Sequence, residues 1–266
     1  MAPLLEVDNL HVRFPTDTGG VTVLKGVDLA VQSGERVGLV GESGSGKSVL
    51  AWSILGLLQP PGQVEAGSIR YRGVDLCQAP EEELQKLRGR EIALIASNPR
   101  AHLNPVATVG EQLIHVFLAH QPLGRKEAAA KALQMLEAVG IPDPPRRMAA
   151  YPHQLSGGMA QRIVIALALA CDPKLLIADA PTSGLDVTIQ VQILDLIHEL
   201  LQSKGLAALI TTRDLGVVAH YCDKVAVLRE GRVVEFAAVK DFFARPAHPY
   251  SKSLLGAGAF ERQAGG

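Results

Sequence analysis

The eight residues GESGSGKS (41–48) fit the spacing G-x-x-x-x-G-K-[ST]. They lie between a short apolar run, ERVGLVG (35–41), and SVLAWSILGLL (48–58), whose apolar spacing is helical. In that context Gly41, Ser43, Gly44, Ser45 and Gly46 are small enough for backbone N–H groups and a helix N-terminus to close around phosphates. Lys47 would neutralise the β and γ phosphates of a nucleotide, and the Ser48 hydroxyl would ligate magnesium. ATP and Mg2+ are the expected ligands. A second candidate set, Ser156, Gly157, Gly158 and Met159 in LSGGMAQR (155–162), offers a hydroxyl, free N–H groups and the positive end of a helix dipole to an anion. An ordinary N-cap would account for Ser156 alone. A third lies in LLIADAPT (175–182), a buried strand ending in the carboxylate of Asp179, which suits magnesium. The next residue is Ala180, a methyl group where a second carboxylate could act as a base.

These residues need a scaffold. LLEVDNLHVRF (4–14) and VTVLKGVDLAV (21–31) alternate as half-buried strands on either side of the turn PTDTGG. Residues 62–90 read as a short strand pair and a charged helix, followed by the buried strand EIALIA (91–96) and the loop NPRAHLNP (98–105). A mostly helical insert runs from about 98 to 155, and SGGMAQRIVIALALA (156–170) reads as a helix capped by Ser156. KLLIADA (174–180) and AALITT (207–212) read as buried strands of the parallel kind, joined by the helix VTIQVQILDLIHELLQSKG (187–205). The expected fold class is therefore α/β, with an antiparallel β lobe and a helical lobe.

Composition narrows the function classes. Against 27 acidic residues stand 26 basic ones, a formal charge of -1, which gives nucleic acid or an anionic membrane no electrostatic handle. Cys77, Cys171 and Cys222 are far apart and lack C-x-x-C spacing, so neither a disulfide framework nor a zinc site is expected. The longest apolar run, VIALALAC (164–171), is far shorter than the roughly 20 residues that span a bilayer. MAPLLEVDNL has no signal-peptide pattern, so any membrane role must come through a partner.

Taken together, GESGSGKS, LSGGMAQR and the strand carrying Asp179 resemble the nucleotide-binding subunits of ABC transporters, over essentially Leu5 to Leu255. The resemblance implies a P-loop NTPase core of the ABC ATPase type, one domain over 1–266 with a helical subdomain at about 98–170. NPRAHLNPVATVGEQL (98–113), YPHQLSGGMAQR (151–162), DLGVVA (214–219) and RPAHPYSKSLL (245–255) look like the peptide and nickel importer ATPases. Some members continue into a cysteine-bearing tail that holds an iron–sulfur cluster; no cysteine follows Cys222, and no cluster is expected. By resemblance Phe14 stacks on adenine, although a plain core phenylalanine fits as well. Asp186 in SGLD matches the D-loop acid that communicates across the dimer, and the same residue could simply cap the next helix. Arg100, His102 and Asn104 match the loop that receives a membrane subunit's coupling helix, with a solvated loop as the alternative.

Three positions depart from the family pattern in one direction. The Walker B strand of the family ends Asp-Glu, the Glu orienting the attacking water; here it ends Asp179-Ala180. General-base catalysis is worth about 10²- to 10⁴-fold, or about 3 to 5 kcal/mol of barrier. Ser97 stands at the Q-loop glutamine and is too short to span the same gap. Arg213 replaces the switch histidine, and a permanently charged donor cannot serve as a neutral acceptor for water. Drift accounts for any one of them, whereas the three together imply a retained but catalytically degenerate site. Family members form head-to-tail dimers. Lys47, Ser48 and Asp179 would then hold one ATP, while Ser156, Gly157, Gly158 and Met159 complete the site of a different ATPase subunit. The expected assembly adds two integral membrane permease subunits and an extracytoplasmic substrate-binding protein. Its ATPases lie peripherally on the cytoplasmic face of the inner or plasma membrane, with no role for nucleic acid. Peptide is the expected cargo, with nickel or another small solute open. So are a regulatory ATP-binding module and a soluble ABC ATPase, although such proteins usually carry two cassettes or a coiled-coil insertion that this sequence lacks.

Overall fold

Alternation in the first strand changes phase partway along, and the backbone shows why. In the computed structural model, which describes residues 2–16 and 19–264, β1 (Leu5–Phe14) buries Leu5 and Val7 and then Leu10 and Val12. A bulge at Asn9, whose φ is 44°, inserts the extra residue, so both apolar pairs face the core. The expected PTDTGG turn falls partly outside the described residues, as do the two ends of the expected 1–266 domain.

The chain continues through β2 (Val21–Val31), β3 (Arg36–Val40), α1 (Lys47–Ile54), β4 (Gln63–Tyr71), β5 (Val74–Asp75), α2 (Glu81–Leu87) and β6 (Ile92–Ile95). Helices α3 (Val109–His120), α4 (Arg125–Ala138), α5 (Pro144–Met148) and α6 (Gly157–Leu169) follow. Next come β7 (Leu175–Asp179), α7 (Val187–Lys204), β8 (Ala207–Thr212), α8 (Leu215–Tyr221), β9 (Lys224–Arg229), β10 (Arg232–Ala238), α9 (Val239–Ala244) and α10 (Pro249–Ala264).

The contacts divide this order into two units, Met1–Leu84 with Ala207–Gly266, and Gln85–Leu206. In the first, β2, β1, β4 and β5 form an antiparallel sheet in that order. There β3 also pairs parallel with both β8 and β9, and β10 closes antiparallel on β9. The second unit pairs β6 parallel with β7 and packs α3 against α4, α5 and α6. Helix α3 begins at a capping box in which Thr108 and Glu111 each accept the other's backbone N–H. Central strands such as Leu175–Asp179 are buried along their whole length, which is why they read as continuous apolar runs.

The C-terminal third of the first unit is less apparent in the sequence. Glu230 and Gly231, with φ of 49° and 82°, turn β9 into β10 in the primed geometry that matches strand twist. Behind the hairpin Val40, Val218, Val225, Val227, Phe242 and Tyr250 form one buried cluster, covered by Leu254 and Leu255 of α10. Burying a side chain such as Phe242 contributes about 1.5 to 3 kcal/mol. The turn into α10 is pinned to β10 by one carboxylate: Glu235 accepts the N–H of Ala247 and the N–H of His248, each at 2.9 Å. Burial works to raise the Glu235 pKa, but these donors outweigh it and hold the carboxyl below the usual carboxylate value. Because the folded pKa is depressed, the stabilisation is complete above the ordinary glutamate value and is lost as pH falls through the folded one. Glu235→Ala is expected to lower stability by about 1 to 2 kcal/mol at neutral pH. In urea melts taken at decreasing pH, the gap from wild type should narrow below the ordinary carboxylate range.

Candidate functional site

In the first unit, buried β3 delivers residues 41–48 directly into α1. The loop must pass close to other backbone: a Cβ on Gly41 would lie 2.2 Å from the Leu228 carbonyl oxygen and 2.8 Å from Ser45 Oγ. Only glycine fits. Helix α1 starts at Gly46, a cap residue that contributes no side-chain acceptor of its own. Lys47 Nζ donates to the carbonyl oxygens of Gly41 at 2.7 Å and Glu42 at 2.8 Å, and lies 3.4 Å from Ser45 Oγ. These contacts hold the ammonium against the loop's own backbone. Ser43, Gly44 and Ser48 are exposed, whereas Ser45 is buried.

Phe14 ends β1, half-buried, with its ring packed against Gly62, where a Cβ would meet ring atoms at 2.6 Å. Arg213 is exposed in a turn fixed on both sides. The N–H of Asp214 donates to Thr212 Oγ1 at 3.0 Å, and the Asp214 carboxylate accepts the Gly216 N–H at 2.6 Å.

In the second unit, Asp179 is the last residue of β7 and only 4% exposed. Ala180 follows with φ of 46°, a left-handed conformation that costs an L-residue about 1 to 2 kcal/mol. Ser97 is exposed just beyond β6. Ser156 caps α6 by accepting the Met159 N–H at 3.3 Å, and Asp186 caps α7 by accepting the Ile189 N–H at 3.0 Å. Both caps are real local structure, whatever else these side chains bind. The two segments are joined, because a Cβ on Gly158 would lie 2.9 Å from Ile189 Cγ2. Arg100 donates to the Leu155 carbonyl oxygen at 3.3 Å, tying the 98–105 loop to the residue before Ser156. Asn104 Oδ1 accepts the Val106 N–H at 3.1 Å, while His102 and Asn104 themselves are exposed. The loop is ordered by its own bonds.

Two features of the site escaped the sequence reading. Gln161, one turn into α6, is 1% exposed, and neither amide atom has a hydrogen-bond partner among the described residues. Glu42, inside the phosphate loop, accepts a hydrogen bond from Tyr250 at 3.1 Å, across 208 residues of chain. Periodicity and spacing give no signal for either contact.

Two substitutions test this geometry. Gly158→Ala is expected to cost about 1 to 3 kcal/mol in urea unfolding. That cost should shrink in an Ile189→Ala background, where the opposing methyl is gone. Ala180→Gly should be neutral or raise stability by up to about 1 kcal/mol, against the loss of about 0.5 to 1 kcal/mol that glycine causes in ordinary helices and strands.

Residues 24–183 match the ABC transporter family. The chain is 48% identical over 257 residues to the dipeptide transport ATP-binding protein DppD of Bacillus subtilis, covering 96% of this chain and 77% of that protein. It is 46% identical over 254 residues to the oligopeptide transport ATP-binding protein OppD of Salmonella typhimurium, covering 96% and 76%. Among solved structures, the dimeric ATP-binding cassette MJ0796 bound to ADP and Pi superposes with a TM-score of 0.79 at 26% identity, over 88% of this chain and 98% of that one. A second, cbiO1 from Clostridium perfringens, part of the transporter complex cbiONQ, gives 0.76 at 28% identity, over 92% of each chain. The fold is the P-loop fold of the ABC ATPases, and the chain belongs to the ABC transporter family as an ATP-binding protein.

Proposed function

We propose that this chain is an ATP-binding subunit of a peptide importer that holds MgATP at its own impaired site. Through Ser156, Gly157, Gly158 and Met159 it would complete the hydrolytic site of a second, different ATPase. The observation that carries this reading is Ala180 directly after Asp179, with Ser97 and Arg213 at the two other positions that would address the γ-phosphate. The family couples ATP hydrolysis to transport. By this reading the binding parts would be the cradle of Gly41 to Gly46, the ammonium of Lys47, the hydroxyl of Ser48 and the carboxylate of Asp179. Ser48 and Asp179 are hard oxygen donors of the kind magnesium takes together with substrate phosphates, and no group of three metal-ligating side chains occurs among the described residues. Bound magnesium would neutralise phosphate charge; Lys47 would share that role, and Phe14 would receive the base.

What is missing is a group to orient water. The Ala180 methyl cannot accept a proton, and Ser97 is short. The Arg213 guanidinium can hold phosphate but donates only. Two copies of such a chain would make two poor sites, which favours a partner with its own glutamate. Names of relatives such as DppD and OppD support peptide as the cargo class. No helix among the described residues is long and apolar enough to cross a membrane. By likeness to the family the chain would work peripherally, at the cytoplasmic face of the membrane. The whole of 1–266 would act as one ATPase domain, in which a helical subdomain at about 98–170 presents Arg100, His102 and Asn104 to one of two permease subunits. A substrate-binding protein on the far side would deliver cargo.

The test is turnover and nucleotide occupancy of the co-purified complex. Replacing the partner's glutamate should lower ATP hydrolysis by about 10²- to 10⁴-fold, while this chain keeps its ATP. Ala180→Glu in this chain alone should restore only part of a second active site, because Ser97 and Arg213 remain. Normal hydrolysis by the isolated chain, or a fully active complex of two identical chains, would overturn the proposal.

A further inference from the structure

The phosphate loop is held from outside by a residue of the C-terminal segment. Tyr250 opens α10 and is 7% exposed, its ring in the cluster with Val40, Val227 and Phe242. The Arg229 guanidinium lies 4.7 Å from the ring centroid. From that seat the phenol donates to Glu42 Oε1 at 3.1 Å. Glu42 is the second residue of the phosphate loop, and its backbone carbonyl accepts from Lys47 Nζ at 2.8 Å and from the Ser45 N–H at 3.2 Å. One residue is thus gripped at both ends, its carbonyl by the phosphate-binding lysine and its carboxylate by Tyr250. Tyr250 is itself fixed, since its N–H donates to His248 Nδ1 at 3.1 Å and the His248 N–H donates to Glu235. A continuous line of named bonds runs from β10 through the His248-Pro249-Tyr250 turn to the loop carrying Lys47.

We propose that Tyr250 is a positioning residue for nucleotide binding, holding the Glu42 carboxylate so that the loop keeps its cradle and the charge stays turned toward the phenol. The physical reason is electrostatic. A carboxylate at the second position of a phosphate loop repels an incoming polyphosphate unless it is neutralised or held aside. An O–H donor does the second, with the Arg229 cation stacked on the same ring. Phenylalanine would fill the same buried space, so the hydroxyl is the part that packing does not require. The inference rests on the reading that residues 41–48 bind ATP.

The test is calorimetric titration of the full chain with MgATP and MgADP, beside thermal melts without nucleotide. Tyr250→Phe should weaken both nucleotides about three- to tenfold, the size of a partly exposed hydrogen bond to a charged acceptor. Glu42→Ala in the Tyr250→Phe background should add no further loss from this contact, so the two changes are non-additive. Glu42→Gln, which still accepts from the phenol and removes the repelling charge, should bind at least as tightly as wild type. If Tyr250→Phe fails to fold, Glu42→Gln and Glu42→Ala carry the test alone, because Glu42 is exposed and outside the core. A lowered melting temperature with unchanged nucleotide affinity would reduce Tyr250 to an anchor for α10 and overturn the proposal. So would additive effects. Failure of the wild-type chain to bind either nucleotide, with Lys47→Ala no different, would instead overturn the underlying reading of the loop.

Discussion

Leu228 brings its carbonyl oxygen so close to residue 41 that a Cβ there would lie 2.2 Å away, and much of the first unit follows from that approach. The carbonyl belongs to the end of β9, which pairs parallel with β3, the strand that delivers the phosphate loop. Just beyond, the Gly231 N–H donates to the Ser45 carbonyl oxygen at 3.2 Å, and the Gly231 carbonyl accepts from the Lys25 N–H at 2.8 Å. The loop is therefore pressed between its own helix and the β9–β10 turn, and the same turn fastens β2. A loop that must present backbone N–H groups to an anion cannot also fold around its own large side chains. Its rigidity has to come from neighbouring backbone, and here it does.

The second unit solves a related problem with different parts. Its segments before α6 and α7 are each held by an N-cap, Ser156 on α6 and Asp186 on α7. Contact of Gly158 with Ile189 makes one body of the two starts. At the other end of the segment Arg162 reaches back to the Val139 carbonyl oxygen at 2.6 Å, beside the end of α4. These contacts tie the 156–162 segment to the end of α4 and the start of α7. The polar but unpartnered Gln161 lies within this same helix, where a buried amide has no compensating bond among the described residues.

Local pattern made much of this legible. GESGSGKS between an apolar run and a helical run specified strand, loop and helix, because backbone geometry and residue size demand one another there. LLIAD and AALITT read as buried parallel strands because both faces of each are covered. The bulge at Asn9 was hidden, since apolar residues at 5, 7, 10 and 12 pass for plain alternation until the extra residue is counted. Illegible too were the contacts of Glu42 with Tyr250 and Gly158 with Ile189, which join residues far apart in the chain through geometry alone. The C-terminal hairpin and α8 to α10 also left only weak signals, because short elements packed on a common cluster need little periodicity of their own.

The proposed separation of holding from cleaving has a physical basis in where the fold depends on its site residues. Gly41 cannot carry a side chain without striking Leu228, and Lys47 is bonded to two carbonyls of its own loop. Asp179 is buried at the end of a core strand. Altering any of these disturbs the scaffold as well as the ligand. Ser97 and Arg213 are exposed at the ends of strands, and Ala180 presents a single methyl. In the proposed reading these positions bear on hydrolysis rather than on holding the nucleotide. A chain relieved of hydrolysis at its own site, yet still required to hold ATP and to complete a partner's site, would change at those positions and keep the rest.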